Sequence, residues 1–137
     1  MEWLAEAVER DTELLCAGAT YAEVWRGHSQ SPSAGQQAIR LAKALETLTA
    51  VPTDDVIGCG AGQLLAVAGR GGYALTLDAI VVATAVIRCA AVLTGNPDDI
   101  ANLAVPAGVL VMTLPPASGR APTPPGSRRA KKQRRKP

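Results

Sequence analysis

Short apolar runs alternate with longer amphipathic or apolar stretches along the first 114 residues, and each junction carries a turn or capping residue. Trp3 to about Arg10 reads as an amphipathic helix, and LLCAG (14–18) as a short buried strand. Thr20 then caps a second helix through its hydroxyl, and Gly27 closes it. The polar loop HSQSPSAGQ follows, with Ser33 or a neighbour capping a helix that runs to about Glu46. LTAVP (48–52) is the second strand, and Asp54 or Thr53 caps a helix reaching about Ala68. GRGGY (69–73) breaks the chain there, and Thr76 offers the cap of the next, almost wholly apolar helix. AAVLT (90–94) and VLVMT (109–113) are two further strands. Between them NPDDIANL starts a short helix, with Asn96 as cap, Pro97 at its first position and Asp99 closing a capping box.

Strands separated by helices predict an α/β fold, a parallel sheet covered by helices on both faces. Ligands of such sheets gather at the carboxyl ends of strands. Glu23 follows the first strand and Asn96 the third, so both fall on that edge. Asp78, the sole acid in TLDAIVVATAV (76–86), and Glu23, beside the apolar stripe of Tyr21, Val24 and Trp25, are candidates to converge there.

Charge divides the chain. Residues 115–137 carry eight Lys and Arg and no acid, whereas residues 1–114 hold six bases against twelve acids, a net of −6. The basic segment, rich in Pro, Gly and Ser, has no apolar periodicity and reads as a disordered tail after a domain of 1–114. Its run of Arg128, Arg129, Lys131, Lys132, Arg134, Arg135 and Lys136 has the chemistry for weak RNA binding through counterion release, or is simply a solvated charge run. Cys16, Cys59 and Cys89 lack C-x-x-C spacing and read as reduced, buried thiols of a cytosolic protein. The acidic start lacks a signal peptide's apolar segment, and Asp78 and Arg88 interrupt the run from Leu75 to Leu93, which argues against a membrane span. GCGAG (58–62) lacks the Lys and Ser/Thr of a phosphate loop, His28 has no partner motif, and Tyr21 and Trp25 suit packing better than base stacking.

AEVWRG (22–27), LDAIVVATA (77–85) and VLTGNPDDI (92–100), in this order, resemble the PIN-domain ribonucleases, specifically the VapC-like toxins of type II toxin–antitoxin pairs. The resemblance covers about residues 1–114 and implies a PIN-like three-layer sandwich. It implies a cytoplasmic endoribonuclease that uses Mg²⁺ or Mn²⁺, acts on RNA, forms a homodimer and is held by a cognate antitoxin. Glu23 matches the family's second acid and Asp78 its third, which makes both expected catalytic and metal-binding residues. Asn96 stands at the fourth, where an amide oxygen coordinates weakly, and Thr94 is either a supporting hydrogen-bonding residue or a strand end.

The family's first strand and first acid have no counterpart here, since Glu2 and Asp11 stand in helical, exposed contexts. The expected domain is therefore N-terminally truncated, through an upstream start or as a degenerate copy, and weak or inactive as an enzyme. The alternatives are a non-catalytic PIN remnant and an RNA-binding module that uses the tail. A missing central strand leaves its neighbours with unpaired backbone groups, at about 1–3 kcal/mol for each one buried without a partner.

Overall fold

The computed structural model describes residues 2–29, 40, 43–69 and 72–114. The expected Ser33 cap, the tail from Pro115 and its seven named bases, and the side chain of His28 lie outside the described residues. In chain order the elements are α1 (Glu2–Glu9), β1 (Leu15–Ala17), α2 (Gly18–Ser29), β2 (Thr49–Val51), α3 (Asp55–Ala68), α4 (Tyr73–Arg88), β3 (Val92–Thr94), α5 (Pro97–Ala104) and β4 (Val111–Thr113).

Helix α3 forms as its sequence dictates. The Asp54 side chain accepts from the Ile57 amide at 2.9 Å, and Gly69, at φ 62°, ends the helix in the left-handed region that glycine enters freely. Other ends differ from expectation. Helix α2 starts at Gly18, directly after β1, two residues ahead of the expected cap at Thr20. It continues through Gly27, a residue that ends a helix only where the chain takes up a left-handed turn. Thr76 does not cap α4. Gly72 does, and the Thr76 hydroxyl donates back to the Gly72 carbonyl at 3.0 Å from inside the first turn.

One apolar cluster joins Val51 of β2, Ile57 and Ala61 of α3, Ala79, Val82, Ala83 and Ala85 of α4, Val92 of β3 and Ile100, Leu103 and Ala104 of α5, with Leu15 of β1 and Val111 of β4 packed against it. Alanine dominates α4 because that helix is covered on several sides, by α2, α3 and α5 as well as by β1 and β3. The buried Thr84 hydroxyl is satisfied within the helix, donating to the Ile80 carbonyl at 2.7 Å. Among the described residues no helix is long and apolar enough to cross a membrane. Of the cysteines, Cys16 is buried as expected; Cys59 and Cys89 are exposed, one on the outer side of α3 and the other at the left-handed residue that ends α4.

All strand pairing is parallel, but it forms two separate ladders instead of one sheet: β1 with β2, Leu15 opposite Thr49 through Ala17 opposite Val51, and β3 with β4, Val92 opposite Val111 through Thr94 opposite Thr113. Residues from all four strands enter the same core, so the two pairs share it.

Candidate functional site

Three elements contribute acids to one neighbourhood. Helix α2 leaves the carboxyl end of β1 and carries Glu23, α4 carries Asp78 in its second turn, and α5, starting just after β3, carries Asp99 in its first. Helix α4 packs on both α2 and α5, and this brings the acids into each other's fields. Partial burial pushes the Asp78 carboxyl above its ordinary range, and the negative charges of Asp99 and then Glu23 raise it further. Glu23 is exposed and makes no hydrogen bond or ion pair among the described residues.

The loop from β3 to α5 is more fully built. The Thr94 hydroxyl accepts the Asn96 backbone N–H at 3.1 Å, pinning the turn, and the Asn96 side-chain amide donates to an Asp99 carboxylate oxygen. The expected capping box therefore closes differently. Asn96 makes no side-chain bond to the backbone of α5; its amide and the Asp99 carboxylate bond each other instead. An amide that donates its N–H₂ to Asp99 has its carbonyl oxygen left to accept or to coordinate. Asp99 is thus the residue that sequence reasoning undervalued, since a spacing of three from Asn96 served the cap reading equally well.

Carboxylate and amide oxygens are the donors that hard divalent cations take, and three acids that repel one another gain from a cation between them. The donor set suits Mg²⁺ or Mn²⁺ in kind. It falls short in closeness: among the described residues no three His, Cys, Asp or Glu side chains stand near enough to hold one ion. A separate cavity of about 280 Å³, lined by Val51, Pro52, Asp54, Ile57, Ile87 and Arg88, includes none of the three acids. Trp25 is about two-fifths exposed and Tyr21 is half-buried, on the same helix as Glu23.

The chain is similar to a crystal structure of VapBC2 from Rickettsia felis bound to a DNA fragment from their promoter, with 18% sequence identity and a TM-score of 0.67, over 81% of this chain and 82% of the matched one. The fold is PIN-like. No protein-family profile matches the chain, and no curated protein does. Within this PIN-like domain the three quoted motifs fall where the acids gather: AEVWRG on α2, LDAIVVATA on α4, and VLTGNPDDI across β3 and the start of α5.

Proposed function

We propose that this chain is a divalent-metal-dependent endoribonuclease of the VapC toxin kind, feeble on its own, that works in the cytoplasm with an antitoxin protein as its partner. The observation that carries the reading is the shared field of Asp78, Asp99 and Glu23 on three helices of a PIN-like fold. Bound there, Mg²⁺ or Mn²⁺ would supply a water more acidic than bulk water for attack on an RNA phosphodiester. Asp78 and Asp99 would hold the ion, Glu23 would reach it directly or through water, and Asn96 would contribute its neutral oxygen. Thr94 acts behind them, by fixing the turn that presents Asn96.

The weakness follows from charge and position. Mg²⁺ gives up its waters reluctantly and rewards sites that crowd carboxylates around it; here the acids are neighbours without being a cluster. That spacing favours a second reading, a PIN remnant that keeps a binding surface and does not cut. RNA retention by the tail bases, and homodimerisation like that expected of the family, fit either reading.

Cleavage of a mixed RNA substrate by the purified chain, in Mg²⁺, in Mn²⁺ and in EDTA, separates the two. A slow, EDTA-sensitive activity that both Asp78→Asn and Asp99→Asn reduce at least ten-fold supports the nuclease. Cleavage that survives these substitutions refutes the site, and absence of cleavage in both metals establishes the remnant.

A further inference from the structure

The cavity that excludes the acids opens where the carboxyl end of β2, the start of α3 and the last turn of α4 meet. Its lining combines apolar residues, Val51, Pro52, Ile57 and Ile87, with two of opposite charge, Asp54 and Arg88. Val51 and Ile57, each 2% exposed, close its base, whereas Pro52, Asp54, Ile87 and Arg88 are exposed and open to anything that enters. The two charges do not meet. One Asp54 oxygen accepts from the Ile57 amide at 2.9 Å, which commits the side chain to the cap of α3 and leaves its other oxygen to accept. Arg88 makes no hydrogen bond or ion pair among the described residues, with Asp54 or with any other. A guanidinium and a carboxylate that line one cavity without pairing leave a place between them for a ligand that answers both.

We propose that this cavity binds a small zwitterion with an aliphatic side chain, the chemistry of a free apolar α-amino acid. The Arg88 fork takes the carboxylate, the remaining Asp54 oxygen takes the ammonium, and the aliphatic part lies against Pro52 and Ile87 over the base formed by Val51 and Ile57. Charge complementarity decides the class. A phosphate or a dicarboxylate sets like charge against Asp54, an aliphatic amine leaves Arg88 unanswered, and a hydrocarbon leaves both charges without a counterpart. The volume, about 280 Å³, lies near the lower end of ordinary ligand sites, which suits a molecule of leucine's size. The cavity shares no residue with the acid site, so a chain that cuts no RNA leaves the proposal standing.

The test titrates the full 137-residue chain with L-leucine and follows the methyl resonances of Val51, Ile57 and Ile87 by NMR. The expected result is saturable shifts at these methyls, with Kd in the millimolar range for so small a ligand. Isocaproate, which lacks the ammonium, and isoamylamine, which lacks the carboxylate, each bind roughly ten-fold or more weakly. Arg88→Gln weakens leucine by a similar factor and leaves isoamylamine binding no weaker. Asp54→Ser, which keeps a side-chain oxygen for the Ile57 amide, also weakens leucine and leaves isocaproate binding no weaker. This crossed pattern is one that a loss of folding does not produce. Methyls that show no saturable shift, an analogue that binds as tightly as leucine, or variants that bind leucine as the parent does overturn the proposal.

Discussion

The two strand pairs and the helices beside them are built to different standards. Around β3, α5 and β4 the chain buries Val92, Ile100, Leu103 and Ala104, and a connected set of side chains, Thr94, Asn96 and Asp99, orients the loop that faces Asp78. Around β1, α2 and β2 the buried apolar residues among those described are Cys16, Ala17 and Val51, and the one candidate ligand, Glu23, extends into solvent without a supporting bond among the described residues. The lesson concerns pre-organisation. A carboxylate whose orientation is held by neighbours presents its oxygens at little further entropic cost, whereas a free glutamate must be ordered by the cation itself. One side of the candidate site is prepared and the other is improvised.

Core truncation gives the largest expected contrast. Leu103→Ala, at 2% exposure in the well-built half, should cost about 2–5 kcal/mol, a severe loss against the roughly 5–15 kcal/mol typical of a domain. Leu15→Ala, half-buried in the other half, should cost about 1 kcal/mol. Urea denaturation of the two variants measures the difference, and equal losses would break the comparison.

Much of this architecture is legible in the chain itself. The order of helices and strands follows from apolar runs and their punctuation, and the cap at Asp54, the stop at Gly69 and Pro97 at the head of α5 stand where residue chemistry puts them. What escapes a local reading is of two kinds. Helix α2 starts at Gly18, two residues ahead of Thr20, and α4 starts after Gly72, although Thr76 is the better cap by type. The split into two ladders depends on which strand edges meet, and apolar patterning alone does not record this. Glu23 and Asp78 stood out because an acid beside an apolar stripe is conspicuous. Asp99 did not, because an acid in the first turn of a helix already has a use.

The next contrast is electrostatic. Asp99 affects the Asp78 carboxyl more than Glu23 does, so Asp99→Asn should bring the Asp78 titration midpoint down further than Glu23→Gln does. Carboxyl ¹³C chemical shifts followed against pH report that midpoint directly. A larger response to Glu23→Gln would reverse the assignment of the prepared side.

Stability should respond to pH with a definite sign. A folded-state pKa raised above the unfolded value means that the folded protein holds the Asp78 proton more tightly. The resulting stabilisation is complete below the unfolded value, near 3.8, and is lost as pH rises through the higher folded one. Asp78→Asn carries no such ionisation, so at pH 7 it should melt above the parent chain, and the gap should close toward pH 3. A variant that melts lower at pH 7 would show that the charge of Asp78 is compensated in the folded state.

The smallest effect tests the cation itself. A ligand that binds only the folded chain adds RT ln(1 + [L]/Kd), about 0.4 kcal/mol when its concentration equals Kd, so a weak site yields a shift below about 1 kcal/mol at millimolar Mg²⁺. The shift should be present in the parent chain, nearly absent in Asp99→Asn, and only reduced in Glu23→Gln, because the oriented carboxylate offers its oxygens at lower ordering cost than the free one. Calcium, which accepts longer and less regular oxygen geometries, should stabilise more than magnesium if the acids stand too far apart for a tight octahedron. Melting curves in each cation, with sodium added to equal ionic strength, separate this binding from general screening of the acidic body. Equal losses from Asp99→Asn and Glu23→Gln would mean that the cation draws equally on both halves, and the distinction between a prepared and an improvised side would not survive.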